Sequence, residues 1–228
     1  MASQVVSHII GTNCAPDKEQ EFNVWYTTHH APLVMQGPAV EAMRYQRIED
    51  DARYPRYLAI FKYDSEDDYA NYLGSALRQK ALADIRDSWP EAGDYTEIWS
   101  VAFRRVARRG GGGNPKVLHF NGSNLPANTS QADYDRWYTD DHMLFMLRSP
   151  YMVEAERYHR IGEDPKYPQF LATYKYESEA ALAESKQHFL AGLSTIDRQR
   201  HWPDWVWRRM WGRINYRLVS KERKDLVL

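Results

Sequence analysis

The chain has 228 residues, and its 30 basic and 31 acidic side chains leave a formal net charge of −1, too little field to draw in a phosphate backbone, so nucleic-acid binding is disfavoured. Its single cysteine, Cys14, excludes an intrachain disulfide and a multi-cysteine metal site. No charged-then-apolar leader and no apolar run of about 18 residues is present, so a cytoplasmic protein without a membrane segment is expected.

Taken in chain order, residues 4–11 read as a strand and 17–35 as a helix. Strands follow at 40–48 and 55–63, then a helix at 65–84 and a strand at 94–106. The first helix is the best marked. Phe22, Trp25, Tyr26, His29 and Leu33 fall at the spacing of one helical face. The stretch RRGGGGNP at 108–115 has no periodicity and four consecutive glycines, and it reads as a flexible linker. Beyond it the same order returns: strand 116–122, helix 130–147, strands 153–161 and 168–176, helix 178–195, strand 206–219. Tyr134, Trp137, Tyr138, Asp141 and Phe145 repeat the first helix's face, and Ser130 with Asp133 looks like a capping box at its start.

This is a duplication of a whole unit. SHIIGTN answers to LHFNGSN, pairing His8 with His119. NVWYTTHHAPL answers to DRWYTDDHMLF, pairing His30 with His142. EAMRYQRIED answers to EAERYHRIGED, pairing Arg44 with Arg157, Tyr45 with Tyr158 and Arg47 with Arg160. Trp89-Pro90 answers to Trp202-Pro203, and Trp99 lies near the place of Trp211. The expected domains are repeat one at 1–107, the linker at 108–115 and repeat two at 116–228. A β-α-β-β-α-β order is the ferredoxin-like arrangement, in which two helices cover one face of a four-stranded sheet. The other face needs cover, and two such sheets packed face to face supply it. The fold class is therefore α+β, with two ferredoxin-like repeats forming a single-chain barrel. Such a barrel needs no second chain, so a monomer or weak homodimer is expected.

With the element order and WYTTHHAPL in hand, the chain resembles the EthD-like branch of the dimeric α+β barrel superfamily. Members show an aromatic helix ending in a histidine followed closely by Pro-Leu, a pattern matched by His30, Pro32 and Leu33. Repeat two keeps Trp137, Tyr138 and His142 but has Met143-Leu144-Phe145 where Ala-Pro-Leu stood. The resemblance implies that His30 and His142 lie by the barrel cavity. It also implies a range of chemistry: cofactor-independent enzymes that cyclise, dehydrate, decarboxylate or isomerise small aromatic and polyketide-like compounds, beside haem-using peroxidases and monooxygenases.

Candidate site residues come from the duplicated positions. In strand 116–122, Leu118 and Phe120 share one face and His119 and Asn121 the other. If the helices take the apolar side, His119 and its equivalent His8 point into the barrel. His30, His142, His8 and His119 are thus candidate catalytic groups, since imidazole both takes and gives a proton near neutral pH. Each has a bland alternative as a packed, hydrogen-bonded residue. Tyr45 and Tyr158 could serve as acids, or simply pair across strands. Tyr26, Tyr138 and His159 are candidate substrate contacts, and Arg44 and Arg157 could anchor a carboxylate or phenolate through the guanidinium fork. Asp141, beside His142 in sequence, could raise its pKa or fix its tautomer. His29-His30 is a poor metal pair because neighbours on a helix point about 100° apart and no third ligand has matching spacing.

The 16 Tyr and 8 Trp suit a pocket for an organic ring. The leading expectation is a lyase or isomerase that moves a proton on a small aromatic substrate without a cofactor or metal. A haem-dependent oxidase or peroxidase, or a non-catalytic binder of aromatic ligands, is the alternative.

Overall fold

The structure is a computed structural model and describes residues 5–91, 93–125, 128–192 and 210–224, with backbone alone for 189–192 and 210–212. Two compact units are present: Met1–Arg104 with Leu218–Leu228, and Arg105–Arg217. Eight strands, β1 (Val6–Cys14), β2 (Glu41–Arg47), β3 (Tyr57–Tyr63), β4 (Tyr95–Gly110), β5 (Val117–Ser123), β6 (Met152–Arg160), β7 (Phe170–Tyr176) and β8 (Met210–Arg223), close into an antiparallel barrel. Their order around it is β1-β3-β2-β8-β5-β7-β6-β4, the expected α+β barrel from one chain.

In the first unit β1 pairs with both β3 and β4, and β2 with β3, which is the ferredoxin-like order. The second unit repeats it, with β5 between β7 and β8 and β6 beside β7. Both copies carry the same irregularity: the β1/β4 register shifts between Gly11 and Thr12, and the β5/β8 register between Gly122 and Ser123. Gly11 is required at its place. A Cβ there would lie 2.6 Å from Pro55 Cγ and 2.9 Å from Trp99 Cβ.

The first helix is interrupted in both copies. After a 3-10 turn (Pro16–Lys18) come α1 (Glu19–Trp25), a π-turn (Tyr26–His30) and α2 (Ala31–Met35). The second copy has α5 (Gln131–Arg136), a π-turn (Trp137–His142) and α6 (Met143–Met146). Ser130 caps α5 as expected, its hydroxyl accepting from Asp133 N–H at 3.1 Å. A π-turn widens the helix by one residue, so the face drawn at regular spacing slips by one. Tyr26 (1% exposed) is therefore followed on the buried side by His30 (3%), while His29 is exposed. In the second copy His142 is buried and Asp141 is exposed.

The expected helix 65–84 is two helices, α3 (Glu66–Leu73) and α4 (Ala76–Ser88). Gly74 ends the first, and Ser75 opens the second by accepting from Arg78 N–H at 3.1 Å. Helix α7 (Glu179–Gly192) is the counterpart in the second unit. The glycine run continues β4 as far as Gly110, and Gly110 to Gly113 all have positive φ, which glycine adopts without strain. The expected helix end at 193–195, the start of the last strand at 206, Trp202-Pro203 and the Trp211 side chain lie outside the described residues. Among the described residues no helix is long and apolar enough to cross a membrane.

Candidate active site

Residues directly opposite in an antiparallel pair share a face of the sheet. Tyr63, paired with Val6, meets Tyr69 and Tyr72 of α3, so this face of β3 looks toward the helices. Ala59 and Tyr57 lie on that face, and with them their partners Arg44 and Gln46. Tyr45 and Met43 lie on the other, where the Tyr45 hydroxyl donates to Met43 Sδ at 3.4 Å. The same alternation puts Tyr158, opposite Leu171, away from Arg157, opposite Ala172. The two candidate tyrosines therefore do not join the histidines.

His8 and His119 also lie where alternation did not place them. His8 packs on Tyr69 of α3 at 5.2 Å between ring centroids, and bonds Ser100 Oγ at 3.2 Å. His119 shares its face with Tyr174, whose ring also meets His142. Both face the helix layer. Apolar and polar residues alternate poorly here because β1 is buried on both faces: Ser7, His8 and Ile9 are all 2% exposed or less. Burial, aided by Arg78, pushes the His8 pKa down to about 3, and its Nδ1 has no partner among the described residues. His119 Nδ1 lies 2.7 Å from Asn215 Oδ1.

The π-turns bring together a cluster in each unit. In the first, Trp25 stacks on His30 at 4.8 Å and Tyr26 meets its edge at 4.9 Å. His30 Nδ1 lies 2.7 Å from Asp84 Oδ2 of α4, and exposed His29 bonds the other oxygen of Asp84 at 3.0 Å. The carboxylate can only accept, so Nδ1 carries the proton and Nε2 is the basic nitrogen. Burial lowers the His30 pKa, and Asp84 opposes that only in part. A pocket of about 470 Å³ on this side is lined by Thr28, His29, Pro32, Leu33, Lys80 and Asp84 among others, but not by His30. In the second unit Trp137 stacks on His142 at 5.0 Å and Tyr138 meets its edge at 4.9 Å. Tyr174 donates to the Tyr138 hydroxyl at 3.2 Å.

Beside each histidine cluster a buried arginine lies over aromatic faces. Arg44 Cζ is 4.2 Å from the Tyr26 ring centroid, and Arg157 Cζ is 4.7 Å from that of Tyr138. Their polar partners differ. Arg157 Nη2 donates to Asp135 Oδ1 at 2.6 Å, and His159 Nε2 lies 2.9 Å from the same oxygen. Arg44 Nη1 reaches only Asn23 O and Thr27 Oγ1, each at 3.3 Å. Nearby, Glu19 accepts from Arg56 at 3.1 Å, from Gln46 at 3.2 Å and from the Tyr57 hydroxyl.

Asp84, Asn23, Asp135 and Glu19 are site residues that sequence reasoning missed. The signal for two of them was in the repeat, which sets Asn23 against Asp135 just where the buried arginines need a counter-ion. Asp197, the counterpart of Asp84 when Trp89 is set against Trp202, lies outside the described residues. Among the described residues no group of three or more His, Cys, Asp and Glu side chains could hold a metal ion.

No family model matches the chain, and no curated protein matches it. Solved structures do. An anthrone oxidase-like protein is similar over 99% of this chain and 95% of its own, with a TM-score of 0.67 and 10% identity. A protein assigned as a monooxygenase from Fusobacterium nucleatum subsp. nucleatum covers 99% of this chain and 97% of its own, with a TM-score of 0.65 and 8% identity. A variant of chlorite dismutase from Candidatus Nitrospira defluvii covers 96% and 93%, with a TM-score of 0.61 and 11% identity. At such identities the likeness is one of fold, and the fold is the α+β barrel.

Proposed function

We propose that this chain is an enzyme that takes a proton from a small aromatic substrate, with His30 as the base and Asp84 as the residue that positions it. The supporting observation is the 2.7 Å bond between His30 Nδ1 and Asp84 beneath a stacked tryptophan. That bond fixes the tautomer, and burial keeps the ring neutral and able to accept a proton at neutral pH.

Once the proton has left, the carbanion or phenolate can expel a leaving group or take a proton elsewhere, which is lyase or isomerase chemistry. It can also reduce dioxygen. An activated methylene then becomes a carbonyl, R₂CH₂ + O₂ giving R₂C=O + H₂O, with the base removing the C–H protons and oxygen taking the electrons. The oxidase and monooxygenase names among the structures of like fold favour this second outcome.

Haem offers a different route to oxidation, and the four duplicated histidines do not fit it. A porphyrin needs a histidine nitrogen facing a flat slot, whereas His30 and His142 are stacked on tryptophan, His8 lies between Tyr69 and Ser100, and His119 lies between Tyr174 and Asn215.

The test is turnover of phenols, anthrones and related ring compounds without added cofactor, in air and under argon. His30→Ala should lower kcat/KM by about 10² to 10⁴, the usual contribution of a positioned base. Turnover under argon assigns the lyase or isomerase outcome, and turnover in air alone assigns the oxidase outcome. A variant retaining full turnover would return His30 to a packing role.

A further inference from the structure

The two units carry the same buried arginine with opposite electrostatic solutions. Arg157 is neutralised from within by Asp135, whose side chain is 29% exposed and so reaches the guanidinium from a partly open position. In the first unit the equivalent position holds Asn23, which brings no charge. Arg44 is 2% exposed, and its Nε and Nη2 have no partner among the described residues, as has Asn23 Oδ1. The neighbouring charges do not mend this. Glu19 is engaged by Arg56, Gln46 and Tyr57, and burial holds the Cys14 thiol up at about 11, so it stays neutral. The one carboxylate of this cluster thus pairs with Arg56 and not with Arg44. In the second unit Gln131 and Gln169 stand where Glu19 and Arg56 stand in the first, so that ion pair has no counterpart there.

A buried guanidinium cannot shed its proton, and contact with aromatic faces compensates it only in part. A carboxylate placed where Asp135 lies in the other unit would meet two free donors in fork geometry. We propose that Arg44 is the receiving residue for a carboxylate on an aromatic ligand, and that the first unit binds this ligand while Asp135 closes the second. Phe22, Tyr26 and Tyr57 pack against the Arg44 guanidinium and form an aromatic wall around the place that the carboxylate would take. The proposal deepens the functional reading above and rests on it in taking that ligand as the substrate: the Tyr26 ring touches both Arg44 and His30, so the anion would be held one ring away from the base.

The experiment is calorimetric titration of the full chain with benzoate, and with benzamide as the uncharged isostere. Wild type should bind one benzoate and no benzamide. Asn23→Asp builds the internal counter-ion of the second unit into the first, and should weaken benzoate by roughly 10- to 100-fold, the span of one charge-assisted hydrogen bond. Arg44→Gln should weaken it similarly, and Asp135→Asn should open a second site. Thermal melting guards against misfolding, since Asn23→Asp should melt no lower than wild type. Failure of wild type to bind benzoate at millimolar concentration, equal binding by Asn23→Asp, or equal affinity for benzamide would overturn the proposal. The titration reads binding without turnover, so failure of the base assignment would show in turnover and leave this titration unchanged.

Discussion

His8 should make the protein sensitive to mild acid. Its pKa falls from 6.5 to about 3 on burial, so between those values the unfolded chain binds one proton that the folded chain refuses. Stability then rises with pH across that window, by about 1.4 kcal/mol per unit for one proton. From pH 6.5 down to about pH 4 the loss is about 3 kcal/mol, a large share of the 5–15 kcal/mol that a folded domain typically has. The geometry explains why the folded state refuses the proton. Nε2 is engaged with Ser100, and an added Nδ1–H would find no acceptor among the described residues. His8→Phe keeps a ring against Tyr69 and removes the titration. Urea unfolding of both proteins at several values between pH 4 and 7 should give curves whose stabilities diverge from each other as pH falls, with the wild type losing more. Parallel pH dependence in the two proteins would refute the reasoning.

Three further outcomes are expected. Asp135→Ala should destabilise by about 3 kcal/mol, since Arg157 is 1% exposed and would keep a buried charge with its ion-pair partner removed; Asp135→Asn, which reproduces the first unit's solution, should cost less in the same melting experiment. Gly11→Ala should cost about 1–3 kcal/mol because the new methyl meets Pro55 and Trp99, whereas Gly74→Ala, with nothing nearer than 3.8 Å, is the tolerated control. The acid limb of kcat/KM should lie below pH 6.5, since the neutral form of His30 is active and burial favours it; Asp84→Asn should move the limb lower still by removing the group that raises the pKa, and a limb above 6.5 would exclude His30 as the base.

The duplication made the architecture legible. Whole segments recur in one order, and strand and helix periods in each copy spell out the β-α-β-β-α-β list. Side-chain direction was less legible, for two local reasons. Strand β1 is buried on both faces and so loses the alternation that would orient His8, while in β5 the apolar pair Leu118 and Phe120 faces away from the helices and leaves His119 toward them. A π-turn inserts a residue that regular helical spacing does not anticipate, which is why His30 and His142 are buried while His29 and Asp141 are exposed. Asp84 was out of reach because its meeting with His30 depends on how two helices pack, 54 positions apart in the chain.

The boundary between the units falls inside strands β4 and β8, and the second unit is one continuous segment nested within the first. The last strand is tied back to residues near the end of the first helix: Lys224 N–H donates to Val40 O, and Lys221 reaches Glu41. During synthesis the second unit can therefore assemble as soon as its own segment has emerged, whereas the first must wait for residues 218–224 to leave the ribosome. The half made first is completed last, and a chain cut before residue 218 would injure the unit that contains His30 and Arg44.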